Sequence, residues 1–254
     1  MYELALFAGI GGGILGSQIS NHTCIGAIEQ NKFCQKLLLQ RQRDGLLPKF
    51  PIWDDVKTFS IENEEVKEYI QFLQKHKDKI IITGGFPCQD ISIAGKGAGL
   101  QGRKSKLWNE MFRIICEIRP KIVLVENSPV LTSRGLGDIL ADLAKIRYNA
   151  KWGVLGAEHV GARHKRHRMW IRASRDAISE NGDKSEMVQK EKSTWKPGRI
   201  TFDKSIKIRA SSWKNDEPRM VGTSHDFTTW VDRSRAIGNA QVPAVVRLAY
   251  EYLD

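Results

Sequence analysis

The chain has no run of about eighteen apolar residues, the length a helix needs to cross a bilayer, so no membrane span is expected. It is poor in cysteine, with Cys24, Cys34, Cys88 and Cys116 only. No two of these form a C-x-x-C pair and none makes a ligand pattern with nearby histidines. That argues against structural zinc and a disulfide framework, and no metal is expected. The start, Met-Tyr-Glu-Leu-Ala-Leu-Phe, lacks the basic and apolar regions of a secretory leader, which points to the cytoplasm. No internal repeat is evident. Acid is short too: 29 acidic against 40 basic side chains leave a formal charge of +11. Such an excess favours a polyanionic partner through counterion release, although a solvated basic face is the plainer reading of charge alone. The bases also cluster: Arg163, Lys165, Arg166, Arg168, Arg172 and Arg175 lie beside His159, His164 and His167, with no acid among them after Glu158.

What the sequence does have is alternation. Across residues 1–150 short apolar runs alternate with amphipathic stretches, the βαβ signature of a mostly parallel sheet in an α/β fold. The runs Leu4–Phe7, Cys24–Glu29, Lys79–Thr83 and Ile122–Val125 read as strands, with a weak strand before Asp54. Stretches from Gly13, Lys32–Arg43, Glu62–Lys77, Lys106–Arg119 and Gly137–Lys145 read as helices. Trp152–Leu155 and Met169–Ala173 read as later strands, and Val242–Leu253 as a closing helix. Between them, from about Asp176 to Thr229, periodicity dissolves into charge, Ser, Gly and isolated tryptophans. Trp195, Phe202, Ile206, Ile208 and Trp213 are too apolar for plain disorder, so a small irregular domain is expected. The expected domains are 1–173 plus 231–254, and 174–230.

Ligands of an open parallel sheet bind beyond the carboxyl ends of its strands, and the notable loops fall there. Phe7 to Gly13 is glycine-rich and lets backbone approach a ligand closely, though a tight turn alone would look the same. Glu29 ends the second strand, where a carboxylate can bind ribose hydroxyls or stay solvated. Gly84-Gly85-Phe86-Pro87-Cys88-Gln89 places a thiol between a rigid proline and a polar loop, a position for reactivity rather than core filling. Glu126-Asn127 ends an apolar strand, where desolvation raises a carboxyl's pKa and lets it donate a proton near neutrality. Arg166 and Arg168 sit two apart, so on an extended segment they face one side.

Taken in order, these segments resemble the motifs of the cytosine-C5 DNA methyltransferase family over residues 3–173 and 231–254. The sharpest matches are Phe7-x-Gly9-x-Gly11-Gly12, Gly85-Phe86-Pro87-Cys88-Gln89, Glu126-Asn127, Arg166-x-Arg168 and Gly238-Asn239-Ala240-Gln241-Val242-Pro243. The sequence departs from the family habit at Gln30, Ser128 and His164, none of them a reacting group. The resemblance implies a Rossmann-like fold that binds S-adenosylmethionine (SAM), with 174–230 as target-recognition domain. It implies that Cys88 attacks cytosine C6, that Glu126 protonates N3, that Arg166 holds the base and that Arg168 organises the nearby backbone. Phe7, Gly9, Ile10 and Gly12 would surround the methionine part of SAM, Glu29 its ribose, and Asp55, Val56 and Leu107 its adenine. Asn239 and Ala240 would close the pocket, and Ser92 and Lys96 would join the two arginines in contacting DNA.

The expected reaction is methyl transfer to C5 of a cytosine in double-stranded DNA, giving S-adenosylhomocysteine, by a monomer. The setting would be restriction-modification or a solitary phage-type role. The base must be flipped from the duplex, and the Asp90–Lys104 loop would close over it. Two alternatives are an RNA (tRNA) cytosine-C5 methyltransferase and a non-catalytic DNA-binding relative. The latter would be expected to lack Cys88 or Glu126, and both are present.

Overall fold

The computed structural model describes residues 1–87, 106–175, 236 and 238–254. Cys88, Ser92, Lys96, the Asp90–Lys104 loop and all of the 174–230 segment past Arg175 lie outside the described residues.

The apolar runs form seven strands: β1 (Tyr2–Leu6), β2 (Thr23–Ile28), β3 (Ile52–Trp53), β4 (Ile80–Gly84), β5 (Ile122–Asn127), β6 (Tyr148–Leu155) and β7 (Arg168–Arg175). Among the described residues they lie in one sheet, ordered β3-β2-β1-β4-β5-β7-β6. The pairs from β3 through to β5 are parallel, whereas β7 runs antiparallel to both β5 and β6. The expected mostly parallel α/β sheet is therefore present. β7 continues to Arg175, whose N–H donates to the Lys121 carbonyl at 3.1 Å, so the sheet runs past the expected boundary at 173.

The period of two along each strand sorts side chains to two faces. Leu4, Leu6, Ile80, Ile82, Val123, Val125, Met169 and Ile171 point to one core. There they meet the apolar stripes of α3 (Glu64–Lys75), α4 (Lys106–Ile118) and α5 (Leu136–Lys145). Ile81, Ile122, Leu124 and Trp170 point to the other face, against α6 (Pro243–Tyr252). Ala5 and Ala27 face the same way, under α1 (Gly12–Ile19) and α2 (Lys32–Arg43). With strands buried on both sides, continuous Ile and Val runs replace alternation, as parallel sheets require. The helices start where the sequence supplies caps: Asn31 accepts from Phe33 and Cys34 N–H, and Asn63 from Glu65 N–H. No described helix is long and apolar enough to cross a membrane.

Strand order reverses between β1 and β4, since β2 and β3 lie to one side and β5, β7 and β6 to the other. Loops leaving such neighbours diverge and open a crevice.

Candidate active site

The chain leaves β1 through a run of left-handed residues: Phe7 at φ 54°, Gly9 at 53° and Gly11 at 85°. That sequence of positive φ turns it sharply enough to start α1 at Gly12. Glu29, at the end of β2, fixes the turn. Its Oε2 accepts from Gly9 N–H at 2.6 Å and its Oε1 from Asn31 N–H at 2.7 Å. A carboxylate held by two backbone donors is preorganised and keeps acceptor capacity for hydroxyls. Arg41 reaches across to the Ile10 carbonyl.

The glycines of this turn do different jobs. A Cβ on Gly9 would meet nothing within 4 Å, so this position is open to a ligand. A Cβ on Gly12 would stand 2.2 Å from the Gln241 carbonyl oxygen, and one on Gly13 2.4 Å from Gln241 Oε1. The close approach expected for a ligand is, at Gly12 and Gly13, an approach by the chain's own C-terminal segment. Which partner would fill a glycine's missing Cβ cannot be told from the glycine alone.

Glu126 ends β5 on the same face as Ile122 and Leu124, and so on the side where α6 packs. It pairs across the sheet with Trp170, which places Arg168 diagonally opposite on that face. Arg168 Nε lies 3.0 Å from Glu126 Oε1. Gln241 Nε2 donates to Glu126 Oε2 at 3.4 Å. Burial pushes the Glu126 carboxyl above its ordinary pKa, while Arg168, the Gln241 amide and Arg166 pull it back without cancelling the effect of burial. The group thus holds its proton to higher pH than a solvated glutamate does. Asn127, the next residue, turns to the opposite face and donates to the Phe86 carbonyl at 3.0 Å. It pins the short stretch that leads into Cys88.

The two arginines make different contacts. Arg166 has φ 39°, so the segment is not extended there and simple alternation fails. Arg166 Nη2 donates to the carbonyls of Gly238, at 2.7 Å, and Ala240, at 2.5 Å, fastening the C-terminal loop. Arg168, expected to organise backbone, donates from Nη1 to the His167 carbonyl at 2.8 Å and is also paired with the acid. The turn before them is tied by Ala157 N–H to the Lys165 carbonyl at 2.7 Å and by His167 Nε2 to Glu158 Oε1 at 2.5 Å. Glu158, His159 and His167 also bring three potential metal-ligand atoms together, but His159 Nδ1 already accepts from Gly156 N–H at 3.0 Å.

These parts converge on one cleft, lined by Phe7, Gly9, Gly13, Gly85, Glu126, Asn239, Ala240 and Gln241. Of the expected cofactor contacts, Phe7, Gly9, Asn239 and Ala240 line it, and Glu29 is bonded to its rim through Gly9. Ile10, Gly12, Asp55, Val56 and Leu107 do not line it. Val56 is buried in the main core and Leu107 packs against that core. Asp55 caps its own turn, Oδ1 accepting from Lys57 N–H at 2.9 Å. Asn127 and Gln241 were not among the expected site residues, although both stand inside motifs that drew attention to their neighbours.

The fold is an open α/β sheet with a cleft and a buried acid at its strand ends, and comparison with known proteins gives the class. The model of the C-5 cytosine-specific DNA methylase family matches residues 1–247, and the chain belongs to that family. It is 30% identical over 253 residues to the type II methyltransferase M.CviJI of Paramecium bursaria Chlorella virus IL3A, covering 97% of this chain and 58% of that one. It is 28% identical over 178 residues to M.HhaI of Haemophilus parahaemolyticus, covering 68% of this chain and 49% of that one. The chain thus spans about half the length of these curated relatives. Among solved structures, a mutant of Spodoptera frugiperda DNMT2 superposes with a TM-score of 0.53 at 15% identity, over 73% of this chain and 53% of that one. At that identity the likeness concerns the fold.

Proposed function

We propose that the chain methylates C5 of a cytosine flipped out of duplex DNA, with Cys88 as nucleophile and Glu126 as acid. The observation that supports this most is the Glu126 carboxyl: buried, braced by Arg168 and Gln241, raised in pKa, and facing the cleft beside the glycine turn. The site suits SAM, because Gly9 leaves open space and Glu29 presents a fixed carboxylate at its edge. When bound, SAM supplies an electrophilic methyl group. The protein's own residues do the rest. The Cys88 thiolate bonds to C6 while Glu126 gives its proton to N3, so electron density builds at C5. After transfer the C5 proton leaves to a base, the C6–sulfur bond breaks and Glu126 takes its proton back. Arg168 keeps the acid aimed, and Arg166 holds the Gly238–Ala240 wall in place. Nucleophile, acid and electrophile are then complete without a metal, and one chain in the cytoplasm suffices.

Bisulfite sequencing of DNA from cells expressing the protein should reveal methylated cytosines at a recurring site. A duplex with 5-fluorocytosine at that site should form a covalent complex when SAM is added, because fluorine cannot leave as the C5 proton does. Cys88→Ala should abolish trapping and methylation, and Glu126→Gln should slow methylation by about 10² to 10⁴-fold. Turnover by the Cys88→Ala protein would defeat the assignment. Methylation of tRNA but not of duplex DNA would move the substrate to RNA.

A further inference from the structure

Gln241 lines the cleft beside Glu126, and the chemistry above gives it no role beyond bracing that acid. Four observations fix its place. Its carbonyl oxygen occupies the space a Cβ on Gly12 would take. Its Oε1 would lie 2.4 Å from a Cβ on Gly13, and its Nε2 3.0 Å from a Cβ on Gly85. Its Nε2 donates to Glu126 Oε2. It lines the cleft together with Gly9 and Glu126. The side-chain amide is therefore bracketed by two glycines, one from the loop after β1 and one from the loop after β4. Each has room for it only because it carries no side chain.

We propose that Gln241 is a positioning residue for Glu126, seated against the β1 glycine turn so that its amide orients and tunes the acid. This rests on the reading of Glu126 as the proton donor. The division of donors on the carboxyl is the argument. Arg168 takes Oε1 with a charged contact at 3.0 Å, and Gln241 takes Oε2 with a neutral and longer one at 3.4 Å. The ion pair, at the shorter distance and with a full opposite charge, attracts its oxygen more strongly than the neutral amide does, so Oε1 is the more firmly held oxygen. Oε2 is left as the one that can carry and release a proton. A second cation in place of the amide would hold the carboxyl ionised. An apolar side chain would leave Oε2 without this donor. The charged groups facing Glu126 are Arg168 at the start of β7 and Arg166 in the turn before it, which also holds the Ala240 carbonyl next to Gln241. Because the amide's seat is the glycine turn itself, movement of the turn is transmitted to the acid.

The test follows the Glu126 carboxyl directly, by ¹³C NMR of the full-length protein labelled at glutamate Cδ. The Glu126 signal is assigned by its loss in Glu126→Gln. Gln241→Leu removes the donor at similar volume, and Gln241→Glu replaces it with a like charge. Both should move the titration of Glu126 upward, the second further, because the ionised form loses a partner or gains a repeller. Gly13→Ala keeps Gln241 but pushes its amide away, and it should shift the titration in the same direction. Methyl transfer from labelled SAM to unmethylated plasmid DNA should slow roughly tenfold in Gln241→Leu, part of the about 10² to 10⁴-fold a general acid supplies. SAM affinity by calorimetry should change less than the rate. If Gln241→Leu and Gly13→Ala melt at lower temperature while the Glu126 titration stays in place, Gln241 only fills space and the proposal is wrong. If Glu126→Gln leaves methyl transfer at the wild-type rate, the fault lies with the reading of Glu126 as acid. The titration shifts would then still decide whether Gln241 tunes the carboxyl.

Discussion

Glu3 is a carboxyl group in the middle of a sheet, on the face covered by α1 and α6, and fully buried. Its Oε1 accepts from Ser17 Oγ at 2.8 Å and from Thr83 Oγ1 at 2.7 Å. Ser17 spends its one proton there, so at the 3.2 Å contact between Ser17 Oγ and Tyr250 OH the phenol is the donor. The chain of bonds joins α6, α1, β1 and β4. Glu3 Oε2 has no hydrogen-bond partner among the described residues. Burial raises the Glu3 pKa more than the two hydroxyls lower it. The sign of the consequence is fixed by linkage. The native state keeps this proton at pH values where the unfolded chain has released it, so Glu3 makes stability fall as pH rises from the ordinary carboxylate range through its raised value. Glu3→Gln keeps the acceptor for Ser17 and Thr83 and cannot ionise. Its denaturation midpoint should gain on wild type as pH rises from 4 to 8, ~4 being the ordinary range of a glutamate. Parallel pH curves for the two proteins would show that Glu3 does not stay protonated in the native state.

At the scale of elements, helices and strands were largely legible, because a buried parallel sheet writes itself as β-branched runs and its helices as apolar stripes. α2 falls on Lys32–Arg43 as read, and β5 on the Ile122 run. β6 starts at Tyr148, before the expected Trp152, because the edge position leaves its middle exposed and mutes the apolar signal. The site was legible in part: the acid and the glycine turn could be named, but not what touches them. The separate directions of Arg166 and Arg168 turn on one left-handed residue in a turn, a conformation a non-glycine sequence does not announce. The packing of α1 on α6 was equally hidden, and glycine makes it possible. A Cβ on Gly16 would lie 2.4 Å from Val246 Cβ and 2.7 Å from the Pro243 carbonyl oxygen. Alanine gains about 1 kcal/mol of helix propensity over glycine, but overpacking costs about 1–3 kcal/mol. A backbone carbonyl and a branched carbon cannot swing aside, so the clash should win. Gly16→Ala should lower the denaturation midpoint. Gly137→Ala in α5, where a Cβ meets nothing within 4 Å, should raise the midpoint, with a stability gain of about 0.4–1 kcal/mol. Equal gains from both would mean that α1 and α6 are not packed this closely.

For the whole molecule, on the proposed function, we expect a DNA interface in two separable parts, to which the net charge of +11 is suited. Beside the acid, the turn before β7 exposes Arg163, His164 and Lys165 next to the carbonyls that Arg166 grips. Contacts of that kind reach phosphate and carry no sequence information. Described strand β7 ends at Arg175, and the interval 176–229 matches none of the motifs found on either side of it in the sequence. We expect this interval to choose the sequence, through side chains such as Lys, Arg, Ser and Asn that hydrogen-bond base edges in the major groove. The two parts should fail differently. Lys165→Ala should weaken binding to every duplex and flatten the dependence of log K on log salt by about one unit, the share of one phosphate contact. A base-reading side chain, when removed, should cost about 1–3 kcal/mol and relax the choice at one position only. Exchange of residues 176–229 for the matching interval of a methyltransferase of known specificity should carry the new specificity with it, read by bisulfite sequencing of the modified DNA. The exchange leaves Glu126, Arg168, Gln241 and the glycine turn untouched, so the chimera should keep its methyl transfer. An active chimera that still marks the original site would place sequence choice in the catalytic sheet and its loops instead.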